Sequence, residues 1–196
     1  MNLAQPIKKT GDLEKFKNYY EDVKPNKRNK LLIVLGLNTA LRISDILSLK
    51  WGIVYDFERN SYRDHIIITE QKTGKRTQIY MNSSVLDALE QYKQSMELNQ
   101  SEVCSKNYLF THSNKNIPIT RTQAFRIIKE VADYYNLSGV ISCHSLRKTF
   151  GYHAWKRGVP PVLLVTIFNH SSFNVTKRYL GIEQEDRDNI FKKVTL

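Results

Sequence analysis

The sequence predicts a mainly helical fold with a small antiparallel β-sheet, an α+β arrangement. Three observations carry that prediction. Apolar residues recur at helical spacing in most segments, as Ile43, Ile46 and Leu47 do. Two β-prone runs, His65-Ile66-Ile67-Ile68-Thr69 and Arg76-Thr77-Gln78-Ile79-Tyr80, flank Gln71-Lys72-Thr73-Gly74-Lys75, a hairpin turn with glycine at its tight position. The chain has 196 residues, 41% of them hydrophobic, which is enough for one domain with a sizeable core.

Taken in order, residues 11–23 read as a polar first helix, broken by Lys24-Pro25-Asn26. Residues 26–37 form a second, burying Leu31, Leu32, Val34 and Leu35. Asn38 or Thr39 caps a third helix, 42–50, with Arg42 in its first turn. After the hairpin, Ser83 or Ser84 caps a helix to about residue 98, with Val85, Leu89 and Tyr92 on one side. Residues 99–106 are a loop, and Tyr108-Leu109-Phe110 suits a short third strand or a bare connector. Thr120 starts a helix to about residue 135, with Phe125, Ile128 and Ala132 inward, and Asn136-Leu137-Ser138-Gly139 ends it. Helices follow at about 144–157, 161–168, 173–180 and 184–193.

The formal net charge of +11 suits a polyanion such as nucleic acid, although basic domains also bind acidic proteins. No apolar run approaches the roughly 20 residues of a membrane span, and residues 1–10 lack the core of a signal peptide. A cytoplasmic protein without a membrane partner is the expectation. Cys104 and Cys143 have neither close spacing nor a metal-ligand motif, so both are expected as free, buried thiols.

Six residues stand out as a set. Arg42 sits beside an apolar helix, and its planar guanidinium matches two phosphate oxygens at once. Lys72 occupies the hairpin tip, where an ammonium can donate a proton to a leaving oxygen; Lys75 and Arg76 are rivals. His144 and Arg147, three apart, share a helix face. His170 follows an apolar helix, and Tyr179 lies nine residues further on. Each has a commoner structural role alone: a surface arginine, a charged turn, a histidine in a turn, one of eleven packing tyrosines. Together they suit phosphoryl transfer without metal or cofactor. The arginines neutralise transition-state charge, and the tyrosine keeps the energy of the broken bond in a covalent phosphodiester.

In these motifs the sequence resembles the tyrosine recombinases, or phage integrase family, from about residue 25 to 185. Arg42 in Thr-Ala-Leu-Arg-Ile-Ser-Asp is similar to that family's first catalytic arginine. Lys72 in Lys-Thr-Gly-Lys is similar to its hairpin lysine, the general acid for the 5′-hydroxyl. His144 and Arg147 match its His-x-x-Arg box, His170 its second histidine, and Tyr179 its nucleophile. The resemblance implies that family's catalytic-domain fold over residues 26–182, a short N-terminal extension (1–25), and a C-terminal tail (183–196) suited to exchange between protomers. It implies site-specific integration, excision or inversion of double-stranded DNA through a 3′-phosphotyrosine, by a homotetramer on DNA. The family usually carries glycine where Ala40 and Asn169 stand, and glutamate at Asp45. Typical members also have a separate DNA-clamping domain ahead of this one. An accessory DNA-binding protein is therefore an expected partner, and weak, salt-sensitive binding is expected. Arg121, Gln123 and Arg126, near the start of the 120–135 helix, are candidates for base contact. The alternatives are a non-recombining DNA-binding accessory protein on the same fold and, behind it, a relaxing topoisomerase.

Overall fold

The computed structural model describes residues 4–98, 103–112, 115–180, and positions 188, 191, 192 and 194. Its elements run α1 (Thr10–Asp22), α2 (Lys27–Asn38), α3 (Ile43–Leu47), α4 (Trp51–Val54), β1 (Tyr55–Asp56), β2 (Ser61–Tyr62), β3 (His65–Thr69), β4 (Arg76–Tyr80), α5 (Ser83–Leu98), α6 (Arg121–Tyr134), α7 (Cys143–Lys156), α8 (Pro161–Ile167) and α9 (Phe173–Leu180).

The centre is α2. Seven consecutive residues, Leu31 to Leu37, are buried, so this helix has almost no solvent face and must be surrounded. The helices α1, α5 and α7 pack on it. The Asn26 side chain caps it, accepting from the Asn29 N–H at 2.9 Å. Where α7 crosses α2, a Cβ at Gly36 would fall 2.4 Å from Leu146 Cδ1, so glycine sets how closely the two helices approach. Phe16, Tyr19 and Tyr20 of α1 enter the same hydrophobic core. A second, smaller cluster of Ala40, Leu164, Phe168 and Leu180 lies under α8 and α9.

Ahead of α1, the chain straps across α7. Ala4 pairs with Val140, the Gln5 N–H donates to the Val140 carbonyl at 2.9 Å, and the Ile7 N–H donates to Thr149 Oγ1 at 2.9 Å. Lys148 Nζ donates to the Ala4 carbonyl at 2.7 Å.

The β3–β4 hairpin has the expected strands, paired antiparallel from His65 with Tyr80 to Thr69 with Arg76. Several expectations are corrected. The helix expected over 42–50 is only Ile43–Leu47, and Arg42 precedes it as the N-cap residue rather than lying in its first turn. Neither Asn38 nor Thr39 caps it. The chain leaves the helix because Lys50 is extended and pairs with Tyr108, while the Trp51 N–H donates to the Asn107 carbonyl at 2.9 Å. Residues 108–110 thus contribute a single bridge in place of a third strand. Asn82, not Ser83 or Ser84, serves α5, its Oδ1 accepting from the Val85 N–H at 3.1 Å. Helix α4 and the β1–β2 pair were not expected; two-residue strands leave no periodicity to read. Phe125, expected inward, is 41% exposed, because the buried stripe of α6 runs through Ala124, Ile127, Ile128, Val131 and Ala132. Both cysteines are free but only half-buried. Of the expected 184–193 helix, positions 188, 191 and 192 are described and helical; the rest of it, and exchange of the tail between protomers, fall outside the described residues. No described helix is long and apolar enough to cross a membrane.

Candidate active site

The site is built from the start of α7. Ser142 and Ser145 form a reciprocal cap there: the Ser142 hydroxyl accepts from the His144 N–H at 3.3 Å, and Ser145 Oγ accepts from the Ser142 N–H at 3.0 Å. His144 therefore sits in the first turn, with Arg147 one turn further along the same face. Arg147 is 2% exposed. Its Nη2 donates to the Phe168 carbonyl at 2.8 Å and its Nη1 to the Ala40 carbonyl. Its guanidinium lies 5.0 Å from the centroid of the Phe168 ring. Both carbonyls are at sharp turns: Ala40 has φ +56°, and Asn169, which follows Phe168, has φ +50°.

Arg42 reaches the same region from the residue before α3. Its Nη1 bonds Glu70, while Nε and Nη2 make no hydrogen bond among the described residues. Glu70 is 2% exposed and collects four donors. Oε2 accepts from Arg42 and from Thr73 Oγ1 at 2.9 Å; Oε1 accepts from Asn169 Nδ2 at 2.7 Å and Thr77 Oγ1 at 3.2 Å. Burial alone would raise its pKa, but the bonds from Thr73, Arg42 and Asn169 hold it below the usual carboxylate value.

Lys72 follows Glu70 by two residues, exposed in a turn whose Gly74 has φ +66°. Its charge acts on both His144 and His170. His170 shares a hydrogen bond at 2.9 Å between Nδ1 and Thr176 Oγ1, and stacks on Phe168 with centroids 5.2 Å apart. Tyr179, on α9, packs edgewise against His144 at 5.4 Å and His170 at 4.8 Å. Its hydroxyl is buried beside the Arg147 guanidinium, which acts on it, and makes no hydrogen bond of good geometry among the described residues. Lys148 Nζ lies 5.3 Å from the centroid of the Tyr179 ring.

Charge and burial set the protonation states. His144 opens to solvent on one side, yet loss of water around its ring, then the charges of Arg147, Lys148, Arg42 and Lys72, push its pKa down to about 4. The same causes, burial first and then Arg147, Arg42, His144 and Lys72, push His170 to about 4. Burial pushes the Tyr179 phenol up to about 12, against the downward pull of Arg147 and Arg42. At neutral pH both histidines are neutral and the phenol keeps its proton.

The six residues singled out in the sequence thus meet in one place. Of the three candidates on α6, Arg121 and Arg126 are exposed, and Arg121 lines a cleft of about 740 Å³ with Ile43, Phe125, Cys143 and His144. The Gln123 side chain folds back into the helix cap, its Oε1 accepting from the Thr120 N–H at 2.8 Å, so that oxygen is engaged within the protein. Sequence reading missed Glu70 and Lys148. The available signal for Glu70 was a lone carboxylate beside a basic turn. Asp45, with the shorter side chain, still reaches the hairpin, its Oδ1 accepting from the Gln71 N–H at 2.9 Å.

Comparison with known proteins gives the class. Residues 10–185 match the model of the phage integrase family. The chain is 38% identical over 185 residues to the probable integrase/recombinase YoeC of Bacillus subtilis, covering 94% of this chain and 93% of that one. It is 32% identical over 174 residues to the TnP I resolvase of Bacillus thuringiensis, covering 88% of this chain but 56% of the resolvase. Among solved structures, the XerA recombinase superposes with a TM-score of 0.77 at 18% identity, over 98% of this chain and 67% of that one. XerH bound to a palindromic difH substrate, in a post-cleavage complex, also gives 0.77, at 19% identity and over 97% and 52%. The chain belongs to the phage integrase family, the tyrosine recombinases, and has the fold of their catalytic domain.

Proposed function

We propose that this protein cleaves and rejoins double-stranded DNA at specific sites through a 3′-phosphotyrosine on Tyr179. The observation that carries the reading is the Tyr179 hydroxyl: buried beside the Arg147 guanidinium, without a hydrogen bond of good geometry among the described residues, and placed among two arginines and two neutral histidines. A phosphate fits the cations around that hydroxyl, because hydrogen bonds from guanidinium groups to a phosphate are charge-assisted.

In the reaction, Arg42 offers its free Nε and Nη2 edge and Arg147 its fixed guanidinium to the nonbridging oxygens. Preorganised donors of this kind contribute about 10²–10³ in rate each. The Tyr179 oxygen bonds to phosphorus as the bond to the 5′ oxygen breaks, and Lys72 gives that oxygen its proton. His144 takes the phenol proton. The phosphate's negative charge opposes the cations that hold the His144 pKa down, so its basicity rises as DNA docks. His170, with Nδ1 on Thr176, turns Nε2 toward a phosphate oxygen. Return attack by a 5′-hydroxyl of a partner strand releases Tyr179 and needs no cofactor. Exchange between duplexes is assigned to a homotetramer on DNA, with an accessory DNA-binding protein adding affinity, and Arg121, Gln123 and Arg126 placed along the groove. The substrate of XerH, a palindromic DNA site, supports the substrate class.

The test uses nicked duplexes tiled across the DNA flanking the chain's own gene, read on a denaturing gel. The wild-type chain should give a covalent protein–DNA band on one of them. Tyr179→Phe should abolish that band while leaving a native-gel shift intact. A surviving band in the variant removes Tyr179 from the role. No band from the wild-type chain on any duplex overturns the reading in favour of a non-recombining DNA-binding protein.

A further inference from the structure

Glu70 has no part in the chemistry just assigned, yet its carboxylate joins three separate segments that carry site residues. Its two oxygens accept from Arg42 before α3, Thr73 in the Lys72 turn, Thr77 on β4, and Asn169 beside His170. We infer that Glu70 is a positioning residue that ties Arg42, the Lys72 turn and the His170 turn into one rigid unit and aims the open edge of Arg42 at the phosphate. The inference rests on the proposed cleavage reaction and deepens it.

Three features support it. First, all four partners can donate and Arg42 can only donate, so an ionised carboxylate accepts from all of them at once, where an amide would need Thr77 and Asn169 to turn around. A carboxylate buried to 2% exposure is costly unless fully bonded, and here it is fully bonded. Second, Glu70 holds only Nη1 of Arg42. The remaining edge of the fork faces no described partner, so the carboxylate orients the guanidinium without occupying its phosphate-binding edge. Third, the connected groups come from three places distant in sequence: residue 42, residues 70–77 and residue 169. Without a hub each would be fixed only by its own turn, and a misplacement of about 1 Å at a reacting centre costs about 10²-fold in rate.

A competing idea is that Glu70 stands in for the phosphate and blocks Arg42 until DNA arrives. The two ideas predict opposite changes on Glu70→Gln. The amide can keep its oxygen toward Arg42 and Thr73 and turn its NH₂ toward Thr77 and a flipped Asn169, so hydrogen bonding is largely repaired and only the charge is lost. If Glu70 positions Arg42, the rate of covalent adduct formation at saturating nicked duplex should fall about 10–100-fold. DNA affinity should stay level or tighten, because one negative charge beside the phosphate is gone. If Glu70 blocks Arg42, the rate should rise.

The decisive arm repeats Glu70→Gln in an Arg42→Lys background. A residue that acts through Arg42 loses most of its effect there, whereas a residue that merely holds the fold costs the same factor in both backgrounds. Thr73→Val removes one donor from the turn without touching the core, and should give a smaller rate loss of the same kind should Glu70→Gln fold poorly. An unchanged or faster adduct rate in Glu70→Gln, or an equal loss in both backgrounds, overturns the proposal. If the wild-type chain makes the Tyr179-dependent adduct and Glu70→Gln makes it equally fast, only this inference falls. If the wild-type chain makes none, the cleavage reading falls with it.

Discussion

At Ala40 and Asn169 the backbone enters the left-handed region, at φ +56° and +50°, where the resemblance to the family led to an expectation of glycine. A left-handed non-glycine residue carries about 1–2 kcal/mol of strain, and less for asparagine. At Ala40 the opposing quantities nearly balance. Glycine would relieve the strain, but it would lose about 0.8 kcal/mol for a methyl buried against Leu164, Phe168 and Leu180, and about 0.5–1 kcal/mol in chain entropy. Alanine is thus tolerated there. At Asn169 the side chain adds a bond to Glu70 at 2.7 Å, and a hydrogen bond to a charged group contributes about 1.5–3 kcal/mol. Asn169→Ala should therefore cost about 2–4 kcal/mol in urea denaturation, the lost bond plus the strain of a left-handed alanine. Asn169→Gly avoids that strain but adds about 0.5–1 kcal/mol of chain entropy, so it should be more stable than Asn169→Ala by about 0.5–1 kcal/mol. Equal stabilities for the two variants would show that the turn relaxes its φ.

Helix α7 is the element on which the site depends. Its first turn carries His144 and Arg147, its flank is strapped by residues 4–7, and its far half packs on α8 and α9. At Gly151 a Cβ would lie 2.6 Å from Phe168 Cζ and 2.7 Å from Leu180 Cδ2. Phe168 cannot readily give way, since its ring already contacts Arg147, His170 and Tyr179. Gly151→Val should lower stability by about 1–3 kcal/mol through overpacking, and the displaced α9 should slow Tyr179 adduct formation as well. A thermal melt and the denaturing gel measure the two effects; a variant as stable and as fast as wild type would mean that α9 is not seated on Gly151. This coupling was not legible in the sequence. Glycine inside Phe150-Gly151-Tyr152 reads as a weak helical residue, and nothing local says which element lies against it. The helix itself was legible, because Ser142 as a cap and the spacing of His144 and Arg147 are local signals. Two-residue strands, and a helix cut short by a bridge between Lys50 and Tyr108, depend on contacts distant in sequence and left no such signal.

Over the whole molecule, six chemically distinctive residues that the fold brings together were legible before it was known, because their types and the motifs around them match one family's set. The partner that organises them, Glu70, was not, because a single carboxylate gains meaning only when four donors surround it. Net charge behaves the same way: +11 indicates a polyanion but not where it lies. The cleft shared by Arg121 and His144 places the α6 face beside the site, with Arg126 exposed further along that helix. Each phosphate neutralised by a side chain adds about 0.9 to the slope of log affinity against log salt. If the duplex lies along α6, Arg126→Ala should weaken binding and reduce that slope by about 1, and Arg121→Ala with Arg126→Ala by about 2. Arg59→Ala is the comparison, since Arg59 is also exposed but lies beside Asp56 in the β1–β2 turn. A diffuse electrostatic attraction makes the three arginines equivalent, so the Arg59 variant would match Arg126→Ala. A defined track across α6 leaves the Arg59 variant on the wild-type line in a salt titration of a fluorescent duplex.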